Sequence, residues 1–104
     1  MKITGLLGGM SWESTAEYYK LLNREVRNRM GGVHSAPIVM VSVDFSEIEE
    51  LQHKGEWDQL EQILSGHAQT LQSAGADHIL ICTNTMHLMA EGIQKSLQIP
   101  LLHI

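Results

Sequence analysis

The sequence predicts an α/β fold, a four-stranded parallel sheet in the order 2-1-3-4 with helices on both faces. Three observations carry this reading. Short apolar runs alternate with longer segments whose apolar residues recur every three or four positions. Glycines punctuate the chain at Gly8-Gly9, Gly31-Gly32, Gly55 and Gly75, where such segments stop. Two apolar runs stop abruptly, one at the Gly8-Gly9 turn before Ser11 and one at the polar cluster Thr83-Asn84-Thr85. In a parallel sheet that is where a strand hands over to a helix and where ligands bind.

The elements follow in order. Ile3 to Leu7 reads as a buried first strand closed by the Gly8-Gly9 turn. Ser11 is placed to cap the first helix, and Ser14 with Glu17 gives a second capping-box match. Trp12, Ala16, Tyr19, Leu22, Val26 and Met30 then mark one helix face, stopped by Gly31-Gly32. Pro37 introduces a second strand, Ile38 to Val43, and Asp44 or Ser46 caps a short helical stretch through Leu51. Gln52-His53-Lys54-Gly55 breaks that pattern. The next helix carries Trp57, Leu60, Leu64, Ala68 and Leu71 inward and closes at Gly75. A third strand, His78 to Cys82, ends in the polar cluster, and a last helix runs from about Thr85 to Leu97 with Met86, Ala90, Ile93 and Leu97 on one face. Pro100 precedes a final strand, Leu101 to Ile104.

Composition narrows the function. A chain of 104 residues, 43% hydrophobic and 18% charged, is one small globular domain. A formal net charge of -5 argues against a nucleic-acid surface and against anionic membranes. The one basic cluster, Lys20 to Arg29, is interrupted by Glu25 at helical spacing and reads as a solvated face. No apolar run approaches membrane-spanning length, and no secretory signal is evident. The single cysteine excludes an internal disulfide and suits a reducing compartment, so a cytoplasmic location is expected. Six histidines are scattered without metal-ligand spacing, so no metal is expected.

The order 2-1-3-4 places its switch between the first and third strands. The Gly8-Gly9-Met10-Ser11 turn and the Cys82-Thr83-Asn84-Thr85 turn then flank one crevice. Backbone N–H groups at a strand–glycine–helix turn suit a carboxylate or phosphate. The glycine spacing is not that of a dinucleotide fingerprint, and no lysine follows as in a P-loop. Plainer readings stand beside these: Cys82 as a core residue, Thr83 or Asn84 as a helix cap, Ser11 as a cap, Met10 as a packing residue, Gln52 as loop filler, His87 as an exposed side chain and Asp44 as structural.

Taken together, Gly8-Gly9-Met10-Ser11-Trp12-Glu13-Ser14-Thr15, Ser42-Val43-Asp44-Phe45 and Cys82-Thr83-Asn84-Thr85-Met86-His87 resemble the aspartate/glutamate racemase family, whose members are cofactor-independent. The resemblance covers the whole chain but only the first half of a family member. It implies a flavodoxin-like three-layer sandwich, the first of two similar domains, with residues 1–104 as the N-terminal domain. The missing C-terminal domain would supply a second catalytic cysteine. It implies a small amino-acid substrate, L-aspartate or L-glutamate, no cofactor, and proton removal from and return to Cα on opposite faces.

The family motif usually reads Cys-Asn-Thr, and alignment on Asn84-Thr85 puts Thr83 at the catalytic position. Cys82 falls one residue early and, by strand alternation, points elsewhere. A threonine hydroxyl is a poor base at neutral pH, so an enzyme asymmetric in direction is expected, as in the family subgroup with threonine here. Met10, Gln52, Thr83, Asn84 and Thr85 are the expected substrate-binding residues, Gln52 standing where relatives often carry arginine. The chain ends at Ile104 straight after a buried strand, which reads as a fragment. Apolar surface left by a missing half would favour a homo-oligomer. The alternative, from a different class, is a non-catalytic anion-binding module of the same shape.

Overall fold

The computed structural model describes residues 1–82 and 89–102. Strands β1 (Thr4–Gly8), β2 (Ile38–Ser42), β3 (His78–Ile81) and β4 (Leu101–Leu102) form one sheet. All pairings are parallel, and the spatial order is β2-β1-β3-β4. Helices α1 (Trp12–Met30), α2 (Phe45–Lys54), α3 (Trp57–Ser73) and α4 (Ala90–Lys95) fill the connections. The sheet order expected from the alternation is the order observed.

Strand alternation divides the core in two. Leu7, Ile79 and Ile81 face α2, α3 and α4, where they meet Ile48, Leu60, Leu64, Leu71 and Ile93 in a continuous buried cluster. Leu6, Leu80 and Cys82 face the other way and are packed by Tyr18 and Leu22 of α1 and by Ile38. Each fully buried aliphatic side chain contributes roughly 1.5–3 kcal/mol through removal from water, so the first face dominates. Leu60, Leu64, Ala68 and Leu71 of α3 are buried as their spacing predicts, whereas Trp57 is half-exposed at the helix start.

Two expectations need correction. The buried side of α1 is not the Trp12–Ala16–Tyr19 face. Thr15 is the buried residue of that helix, and Tyr18, Leu22 and Val26 continue its stripe. Trp12 and Tyr19 are exposed and, with the exposed Met40, form an apolar shelf beside the edge strand β2. The helix is rotated because Thr15, small enough to sit on a glycine, packs against β1 where an indole could not. The second correction concerns α2, which continues past Leu51 to Lys54 and stops at Gly55 in the left-handed conformation, φ 69°. Gln52, His53 and Lys54 lack an apolar signal but are compatible with a helix whose last turn carries positive charge. Asp44 is its N-cap, accepting from the Ser46 N–H at 3.0 Å.

Topology places α2 at the carboxyl end of the sheet. It follows β2 directly, and it leads into α3, which must itself start at that end to return to β3. None of the described helices is long and apolar enough to cross a membrane.

Candidate functional site

Three strands finish together. The Val43 N–H donates to the Gly8 carbonyl at 2.9 Å, and the Cys82 N–H donates to the Leu7 carbonyl at 3.0 Å. The end of β3 is thereby tied beside the Gly8-Gly9 turn, which is the crevice expected from the strand order.

The turn itself is tightly specified. Gly9 has φ +92°, a conformation that L side chains rarely adopt, and a Cβ there would run into the backbone N and O of Val43. A Cβ on Gly8 would meet Cγ2 and Oγ1 of Thr15 at 2.5 and 2.6 Å. The Gly9 N–H donates to Thr15 Oγ1 at 3.0 Å, and that hydroxyl donates to the Ser11 carbonyl at 3.2 Å. Ser11 caps α1, its Oγ accepting from the Ser14 N–H at 3.4 Å. Among the described residues, none accepts a hydrogen bond from the amides of Met10 or Ser11. These amides sit at the positive end of a 19-residue helix, the electrostatic setting for a carboxylate.

Of the expected substrate-binding residues, Met10 and Gln52 lie in the described part. The Met10 side chain is buried in the large cluster with Ile48, so the group it can offer a ligand is its backbone N–H. Gln52 lies one turn beyond Ile48 on the same face of α2, half-buried and not without a partner, its carbonyl accepting from the Gly55 N–H at 3.1 Å. The shared cluster brings Met10 and the α2 face bearing Gln52 to one end of the sheet. Thr83, Asn84 and Thr85 lie outside the described residues, as do Met86, His87, His103 and Ile104.

Cys82 is fully buried on the α1 face, and desolvation pushes its thiol from 9.0 up to about 12. It is a neutral packing residue at physiological pH, turned to the α1 side of β3 along with Leu80. Thr15 carried no expected role in the sequence, although its signal was present. A hydroxyl four residues after a helix cap, opposite a pair of glycines, is the pattern of a side chain bonding back onto a turn.

A family model for Asp/Glu/hydantoin racemases matches residues 7–104. Two crystal structures share the fold. A candidate Asp/Glu racemase from Yersinia pestis is 54% identical with a TM-score of 0.97, covering 99% of this chain and 45% of that one. An aspartate racemase homologue from Pyrococcus horikoshii is 30% identical with a TM-score of 0.88, covering 98% of this chain and 44% of that one. The chain therefore spans less than half the length of either protein.

Proposed function

Because this chain belongs to the Asp/Glu/hydantoin racemase family, we propose that it forms the N-terminal half of a cofactor-independent amino-acid racemase acting on L-aspartate or L-glutamate. The substrate carboxylate lies against the Gly8–Ser11 turn and accepts from the Met10 and Ser11 amides, with Gln52, Asn84 and Thr85 as further polar contacts. Removing the proton from Cα spreads negative charge into that carboxylate. Fixed N–H donors at a helix start stabilise this charge more than they stabilise the resting substrate, which is what accelerates the step. A second domain of similar fold supplies a cysteine on the opposite face of Cα. One group takes the proton, the other returns one, and the configuration inverts.

The observation that carries this reading is the position of Cys82. It is the one thiol in the chain, and it is buried on the α1 side with its ionisation pushed up to about 12. It is therefore unsuited to proton abstraction near neutral pH. The reacting position passes to the next residue, Thr83, whose hydroxyl orients substrate or relays a proton but is a weak base. Exchange with solvent is then asymmetric: the enantiomer whose Cα–H faces the second-domain cysteine exchanges that proton much faster than its mirror image.

The test, made on the protein that carries the second domain because this half alone is expected to be inactive, is proton NMR of L- and D-aspartate and L- and D-glutamate in D2O, following loss of the Cα–H signal. Faster exchange of one enantiomer supports the reading, and Thr83→Cys should then narrow the difference. Equal rates for both enantiomers overturn the asymmetry. Exchange confined to a 5-substituted hydantoin moves the substrate within the family, and carboxylate binding without exchange of any compound favours a non-catalytic module.

A further inference from the structure

We propose that Thr15 is a positioning residue that fixes the direction of the turn amides and so sets the affinity for the substrate carboxylate; the proposal rests on the substrate reading above. Thr15 is 3% exposed and is the buried residue of a helix otherwise half-buried or exposed along its length. Its hydroxyl has one proton, which it gives to the Ser11 carbonyl at 3.2 Å. With that proton committed, the lone pairs are oriented, and one of them receives the Gly9 N–H at 3.0 Å. Ordinary back-bonding within a helix accounts for the Ser11 contact. It does not account for the Gly9 contact, which reaches six residues upstream and out of the helix.

The consequence is a turn held from both sides. Thr15 lies over Gly8 closely enough to exclude any side chain there, and it grips Gly9 and Ser11 from the α1 layer. The Met10 side chain is anchored in the opposite layer with Ile48 and Leu7. The peptide planes between these anchors carry the Met10 and Ser11 amides, so their directions are set before any ligand arrives. Pre-set donors raise affinity because binding no longer bears the cost of ordering them. Valine at this position keeps the shape but leaves the Gly9 N–H unpaired. Serine keeps the hydroxyl and drops the methyl over Gly8.

The experiment compares wild type, Thr15→Val and Thr15→Ser as 15N-labelled protein titrated with L-aspartate and L-glutamate. In wild type, the Gly9 amide resonance shows the shift and weak temperature dependence of a bonded N–H, and the Met10 and Ser11 resonances move on titration. Thr15→Val should lose the Gly9 signature and need about tenfold more ligand to reach its midpoint, since the turn amides must then be ordered on binding. Thr15→Ser should retain both. A wild-type midpoint in Thr15→Val overturns the role, as does a Thr15→Ser midpoint weakened tenfold, and the second criterion decides alone if Thr15→Val fails to fold. A wild type silent to both amino acids refutes the substrate reading and this role with it; a responsive wild type with unaltered Thr15→Val refutes the Thr15 role alone.

Discussion

Replacing Gly9 by alanine should be among the most damaging single-methyl changes available to this chain. The backbone there has φ +92°, and a residue with a Cβ gives up roughly 1–2 kcal/mol in the left-handed region. The new methyl also collides with the Val43 backbone, which cannot swing away as a side chain would. Relief requires β2 to separate from the end of β1, breaking the 2.9 Å bond from the Val43 N–H to the Gly8 carbonyl. Overpacking costs about 1–3 kcal/mol and the lost bond about 1 more. The sum is about 3–6 kcal/mol, a large share of the 5–15 typical of a domain. Urea unfolding of the variant should show a clearly lowered midpoint. Two other glycines calibrate it. Gly31 has φ 74° and ψ -176° with open space where a Cβ would go, so Gly31→Ala isolates the conformational cost at about 1–3 kcal/mol. Gly66, inside α3 and equally open, should become slightly more stable as alanine, by about 0.5–1 kcal/mol. If Gly9→Ala loses no more stability than Gly31→Ala, the close approach of β2 to the turn is not a constraint and the account of the turn fails.

Cys82 should resist a thiol reagent in the native protein at pH 8 and react at once in denaturant; rapid native labelling would place it on the surface. Its folded ionisation lies near 12 against 9.0 for the free group, so folding holds the proton more tightly. That contribution is fully present below pH 9 and falls away as pH rises towards 12, and Cys82→Ala should flatten this alkaline loss while lowering stability at pH 7. Ile48, 1% exposed, is the buried residue that ties α2 to the cluster around Met10. Ile48→Ala should cost about 2–5 kcal/mol in urea unfolding and weaken carboxylate binding as well, since the cluster that holds Met10 loosens; an unchanged binding midpoint would uncouple the α2 packing from the turn.

The sheet order was readable in the sequence because each strand is a short apolar run bounded by glycine, proline or a cap, and right-handed crossovers leave few ways to wind them. Ser11 and Gly31 were legible at the ends of α1 for the same local reason: the chemistry that ends a helix sits in one or two residues. The rotation of α1 was not. Trp12, Ala16 and Tyr19 have helical spacing and greater apolar bulk, and only the absence of a side chain on Gly8 makes Thr15 the residue that fits. Such a pairing joins two elements and leaves no periodic trace. The extent of α2 was hidden because Gln52-His53-Lys54 is helical without being apolar. At the site, the burial of Cys82 followed from alternation alone, since Leu6, Leu80 and Cys82 share a face. The Thr15 clamp depends on a glycine six residues away adopting a positive φ, and no single position announces that.

The unequal thickness of the two cores gives the molecule a graded response to thermal opening. Among the described residues, α2, α3 and α4 close over a continuous cluster on one side of the sheet, while α1 covers Leu6, Leu80 and Cys82 on the other. Its outer surface is held by exposed pairs such as Glu25–Arg29 at 2.8 Å, each contributing well under 1 kcal/mol. Local opening should therefore detach α1 at a lower free energy than global unfolding, so its amides exchange with solvent well before those of α3. The turn spans the boundary between these cooperative units, with Met10 in the durable one and Thr15 in the labile one. Each excursion of α1 releases one end of the turn while the rest of the sheet stays folded, so a ligand that bridges the Met10 and Ser11 amides would slow exchange along the whole first helix.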